Sequence, residues 1–158
     1  MIRNLSLLLL LAPVAAQAQD LRPMLAKRYE ALNQAILKRD SVAAEKWVKA
    51  YIAPGFLYTS KAKLKYDSKG FLQGLKDQMK LTKTIEFSKF NLGKPTIRGA
   101  SLTVKFVGDF KGTVVFDKRD LILTDKTETL DTWVKVGSDW KLKTVVQTKA
   151  DTQAFHKQ

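Results

Sequence analysis

The chain contains no cysteine, which excludes disulfides, thiol nucleophiles and thiolate metal sites together. Histidine is nearly as scarce: His156 is the only one, and it sits in a polar terminal stretch, residues 151–158, expected to fray. A frayed tail does not hold an imidazole for catalysis, and one histidine without cysteine cannot build a zinc site. Acidic residues are few, 15 against 28 Lys and Arg, giving a formal net charge of +13. Those acids show no calcium-loop spacing, so neither a metal nor a cofactor is expected. With 8 glycines and 4 prolines among 158 residues, there is no linker-like tract that would divide the chain, which reads as one domain.

Long apolar runs are also absent, with one exception. After Arg3 the residues from Leu5 to Ala16 are almost wholly apolar, followed by the small-residue pair Ala16 and Ala18 and then Asp20. A positive start, a short apolar stretch and a small-x-small site form the secretory pattern, and the run is too short for a retained membrane span. Residues 1–18 are therefore expected to be a cleaved signal, with export to the periplasm or medium, and residues 19–150 to form the domain. The excess of lysine over acid would attract polyanions in that compartment.

Beyond the leader the periodicity is helical. Leu21, Met24, Leu25, Tyr29, Leu32, Ala35 and Ile36 fall on one stripe, with Asp20 placed to cap it and Pro23 in the first turn. Asp40 or Ser41 can cap a second helix through Trp47 and Tyr51, ended by Ala53-Pro54-Gly55, and Asp67 a third carrying Phe71, Leu72, Leu75 and Met79. Gly55 to Thr59 reads as a strand between them. After Lys83 the period falls to two. Leu102, Val104 and Phe106 alternate with polar residues, as do Leu130, Thr132, Val134 and Val136, and Leu142 to Gln147 follows a Gly137-Ser138-Asp139 turn. Between Thr84 and Leu92 the apolar phase slips, which suggests a bulge. Helices followed by antiparallel strands define an α+β domain with helices on one face of a curved sheet.

The helix break Leu37-Lys38-Arg39-Asp40-Ser41, the segment Ala53 to Thr59 and the hairpin from Asp131 through Trp133 and Trp140 to Leu142 resemble the nuclear transport factor 2-like superfamily. Within it they are similar to the small bacterial SnoaL-like and ketosteroid-isomerase-like domains. The resemblance implies a cone-shaped, cystatin-like roll: a strongly bent antiparallel sheet packed on three N-terminal helices, with a pocket between sheet and helices. Relatives of that kind include isomerases, cyclases, dehydratases and non-catalytic binders, so fold alone transfers no activity. Catalytic members place an acid or histidine on pocket-facing strands. Here Phe56-Leu57-Tyr58-Thr59-Ser60 and Val145-Val146-Gln147-Thr148 offer neither.

Several candidates remain. Asp131 shares a strand face with Trp133; if that face lines the pocket, burial beside an indole would raise its pKa toward that of a general base. Against this stands a solvated or lysine-paired strand carboxylate. Asp109, Asp117, Asp120 and Asp125 lie near turn signals and read as turn formers. Tyr29, Trp47, Tyr51, Tyr58, Tyr66 and Trp133 could furnish an aromatic ligand pocket or simply pack the core. Lys61, Lys63 and Lys65, spaced by two, and nearby Lys69 would project from one side of an extended segment as an anion-binding surface, or form a solvated face. The leading expectation is a non-catalytic exported domain. It would bind a small, partly apolar ligand and meet an anionic envelope polymer or lipid headgroup through its lysines. The alternatives are an isomerase- or cyclase-like enzyme using Asp131, and a structural protein bound to polyanion. A homodimer through the open sheet face, using exposed Trp133 and Trp140, is also expected.

Overall fold

A computed structural model describes residues 21–156; the leader expected over residues 1–18 and the cap expected at Asp20 lie outside them. Helix α1 (Arg22–Leu37) starts at Leu21 with no side-chain cap and carries Pro23 in its first turn. Helix α2 (Ser41–Tyr51) is capped by the Asp40 carboxylate, which accepts from the backbone N–H groups of Val42 at 3.1 Å and Ala43 at 2.9 Å. Strand β1 (Ile52–Thr59) follows directly, so extended structure begins three residues before Gly55. A short β2 (Lys65–Tyr66) leads to α3 (Ser68–Leu81), capped by Asp67 accepting from Gly70 N at 2.8 Å. The remainder is sheet: β3 (Thr82–Leu92), β4 (Thr96–Arg98), β5 (Ser101–Phe116), β6 (Arg119–Val136) and β7 (Asp139–His156). Among the described residues no helix is long and apolar enough to cross a membrane.

The strands form one curved, unclosed sheet in the order β2-β1-β7-β6-β5-β3, with β4 added on β5. It is not wholly antiparallel as expected, because β1 runs parallel to β7, pairing Leu57 with Thr144 and Thr59 with Val146. The whole excursion from α3 to β6 separates these two strands, so no hairpin dictates their relative direction. The three helices pack on the concave face around Leu25, Tyr29, Trp47, Phe56, Leu102, Val104, Trp133 and Leu142, all buried.

Where the sheet bends, it does so by irregular pairing and glycine. Register shifts in β3 between Thr82 and Thr84 and between Ile85 and Phe87 place the bulge where the apolar phase slips in the sequence. Opposite, a Cβ on Gly112 would stand 2.5 Å from the Thr84 carbonyl oxygen, a backbone atom that cannot rotate away. Gly112→Ala is therefore expected to destabilise the protein by about 1–3 kcal/mol. Gly74→Ala, in open space on α3, should stabilise it by about 0.5–1 kcal/mol. Denaturant midpoints of the two variants measure the contrast.

The described part of the C-terminal stretch, to His156, is not frayed. Residues 150 to 156 pair with Thr127 back to Leu121, so the boundary expected at 150 falls inside β7. The cause is the length of β6, which extends eleven residues before the alternation from Leu130 becomes legible and offers a ladder to otherwise exposed polar residues. His156 sits on this ladder opposite Leu121, exposed.

Candidate functional site

Between the helices and the concave sheet face lies a cavity of about 270 Å³. Helix α1 lines it with Tyr29, Leu32, Asn33 and Ile36, the i, i+3, i+4, i+7 stripe of a helical face. Helix α3 adds Phe71, Leu75 and Gln78, α2 adds Trp47, and β1 adds Tyr58. The sheet contributes mainly alternate residues: Ser88 and Phe90 from β3, Phe106, Gly108 and Phe110 from β5, Asp125, Thr127, Thr129 and Asp131 from β6, and Leu142, Val145 and Gln147 from β7, with Lys89 and Asp109 bordering it as well. The alternate positions share one side because cross-strand partners stay in register, Phe106 with Thr129, Thr129 with Gln147, and Val104 with Asp131 with Val145.

The inner end of the cavity is closed by a hydrogen-bonded chain. The Trp133 indole N–H donates to the Tyr29 hydroxyl at 3.2 Å, and the Tyr29 hydroxyl donates to Asp131 Oδ2. Thr129 Oγ1 donates to Asp131 Oδ1 at 2.5 Å. Asp131 is only 2% exposed, and among the described residues it has no ion-pair partner, so the solvated or lysine-paired alternative does not hold. Burial pushes its carboxyl up to about 6, with the two hydroxyl donors pulling the other way. Burial, and then the neighbouring Asp131 charge, holds the Tyr29 phenol well above its ordinary value. Tyr58 is raised by burial first and then by the carboxylates of Asp125 and Asp131.

Aromatic rings wall the space above this chain. Phe106 lies 5.1 Å from Tyr29 and stacks on Phe90 at 5.8 Å, and Tyr58 lies 6.0 Å from Phe71, centroid to centroid. Polar groups brace the walls: Ser88 Oγ donates to Asn33 Oδ1 at 2.6 Å, and Gln147 Nε2 donates to Thr127 Oγ1 at 2.9 Å.

Of the six aromatics expected at a pocket, Tyr29, Trp47 and Tyr58 line the cavity. Trp133 is fully buried beneath it, supporting Tyr29 rather than facing a ligand, and it cannot serve as an exposed dimer contact. Trp140 is half-buried and packs against the core. Tyr51 is not among the cavity-lining residues; it meets Trp47 edge-on at 5.6 Å, packs against the core, and has the Arg28 guanidinium 4.7 Å from its ring. Tyr66 is 40% exposed on β2, against Tyr58. The lysine series does not lie on a strand: Lys61 falls in a turn, Lys63 has φ 66°, and only Lys65 is extended. These three and Lys69 are all exposed. Period-two projection fails because the left-handed residue at 63 reverses the chain.

Asp125 is not a turn former but lies in mid-strand, accepting from Thr152 Oγ1. Asp109 also lies mid-strand on β5, between its register partners Lys89 and Lys126. The signal that could have found Asp125 was present: it, Thr127 and Thr129 continue the odd-numbered alternation of Asp131 and Trp133. Among the described residues no group of three or more His, Cys, Asp or Glu is placed to hold a metal.

No known family profile matches the chain, and no curated protein matches it. Solved structures do. A conserved protein from Planctomyces limnophilus superposes with a TM-score of 0.68 at 10% identity, covering 84% of this chain and 97% of that one. A protein provisionally assigned as a scytalone dehydratase from Novosphingobium aromaticivorans gives 0.63 at 13% identity, over 87% and 89%. A NTF2-like protein from Cytophaga hutchinsonii gives 0.60 at 12% identity, over 80% and 96%. The three helices, the bent sheet and the cavity between them define the chain as a domain of nuclear transport factor 2-like fold.

Proposed function

We propose that this protein is an exported domain that binds a small, partly apolar molecule in the cavity between α1, α3 and the sheet. The observation that carries this reading is an aromatic-walled space closed by a buried carboxylate and two hydroxyl donors, the combination of apolar lining and few fixed polar groups found at ligand sites. The apolar leader sequence supports export, and the exposed lysines at positions 61, 63, 65 and 69 support contact with an anionic envelope component. Native mass spectrometry of the protein purified from its own envelope fraction tests the reading. A co-purifying small molecule is expected, displaced by Leu75→Trp, which fills the cavity from α3. Protein that is empty as isolated and takes up nothing from an extract of that fraction would sink it.

A second reading is favoured by Asp131 itself. A carboxyl raised to about 6 is suited to accept a proton near neutral pH, and Tyr29 beside it could steady a developing oxyanion. An isomerase- or cyclase-like enzyme would use these two groups. Turnover unchanged in Asp131→Asn would exclude that role.

A further inference from the structure

The cavity has a charge character opposite to that of the protein around it. The chain carries a formal net charge of +13, yet three aspartates, Asp109, Asp125 and Asp131, border the cavity, and Lys89 is the only Lys or Arg among the described residues that does so. Lys89 does not offset the inner acids. Its register partner is Asp109, and its ammonium lies 4.9 Å from the centroid of Phe87, a ring outside the cavity lining. Asp125 and Asp131 therefore remain without a cation, one toward the rim and one at the buried end, with the Tyr58 ring close enough for both charges to add to burial in raising its phenol.

We infer that the cavity takes an organic cation, an amine carried on a flat apolar body, with the ammonium received by Asp131 and the body lying against Phe90, Phe106 and Tyr58. This rests on the reading of the cavity as a small-molecule site and names the class of its ligand. Three physical points support it. A carboxylate has about four lone-pair directions, and Asp131 has two of them occupied, by Tyr29 and Thr129, leaving acceptor capacity for an N–H donor. A buried ionised carboxylate without a counter-charge is costly, and a bound ammonium would supply that charge where the chain does not. Aromatic faces attract cations through their quadrupole, and Tyr58, Phe90 and Phe106 present such faces beside the acid. A carboxylate or phosphate ligand would instead be drawn to the lysine-rich exterior and repelled within.

Calorimetric titration at pH 8 with three probes of one shape tests this: 2-phenylethylamine, 2-phenylethanol and 3-phenylpropanoate. The amine is expected to bind at least tenfold more tightly than the alcohol, and the carboxylate most weakly. Asp131→Asn should bring the amine down to the alcohol's affinity and leave the alcohol unchanged. Asp125→Asn, toward the rim, should weaken the amine severalfold. Melting curves of both variants show that they remain folded. Equal binding of amine and alcohol, or tightest binding of the carboxylate, overturns the charge assignment while leaving the cavity a ligand site. If none of the three binds, both the small-molecule reading and this inference fall.

Discussion

Asp131→Asn is expected to make the protein more stable, by about 3 kcal/mol above pH 6, while leaving it nearly unchanged at pH 4. The Asp131 carboxyl titrates near 6 in the folded chain against 3.8 ordinarily. An acid whose folded pKa is raised holds its proton more tightly in the native state. Stability is thus full below pH 4, falls between pH 4 and pH 6 as the unfolded chain releases a proton that the folded chain retains, and stays low above. Asn reproduces the protonated form: its oxygen can accept from Tyr29, and its amide can donate to Thr129. Glu45, Glu128 and Asp139, whose carboxyls are held low chiefly by Lys49, Lys105 and Arg28, bias stability toward higher pH in both proteins. The difference between the two proteins therefore isolates Asp131. Urea midpoints at pH 4, 6 and 8 measure it. A variant less stable than the parent at pH 8 would show that the ionised carboxylate is well solvated, contrary to its burial. The same substitution should impair whatever function of the cavity needs the charge of this carboxylate, a cost in stability retained for a site.

Trp133→Ala is expected to lose about 3–5 kcal/mol, a large part of the whole for a domain whose stability lies in the range of about 5–15 kcal/mol. Trp133 has no exposed surface, meets the Tyr29 ring edge-on at 5.7 Å, and donates its indole N–H to the Tyr29 hydroxyl. Removing it opens a void under the cavity and withdraws the donor that fixes the Tyr29 hydroxyl toward Asp131. Trp133→Phe retains the ring without the N–H and should cost less than half as much. Equilibrium denaturation followed by circular dichroism separates the two. An alanine variant within 1 kcal/mol of the parent would mean that the indole does not support this wall.

Much of the frame was legible because it depends on local chemistry. Asp40 and Asp67 cap their helices as their side chains dictate, Pro23 sits where a missing N–H costs nothing, and Gly137 with φ 62° makes the hairpin turn. The bulge expected between Thr84 and Leu92 falls between Ile85 and Phe87, since a period-two strand cannot change faces without an extra residue. The long arm of β6 and β7 escaped notice. Residues 119 to 129 are largely polar on both faces, and their extended form follows from pairing with β5 rather than from any alternation of their own.

The site divides along the same line. From the sequence alone came the exclusion of thiol chemistry, the three helices, and the shared strand face of Asp131 and Trp133, because each follows from residue type or from spacing within one element. Which face of β6 is buried could not be read there. Its even-numbered side, Leu130, Val134 and Val136, is the more apolar, yet Leu130 is 45% and Val136 42% exposed while Asp131 and Trp133 are buried. Only the tertiary structure decided this, by setting three helices against the concave side, where Tyr29 from α1 and Thr129 from β6 supply the hydroxyl donors that allow a carboxylate to be buried.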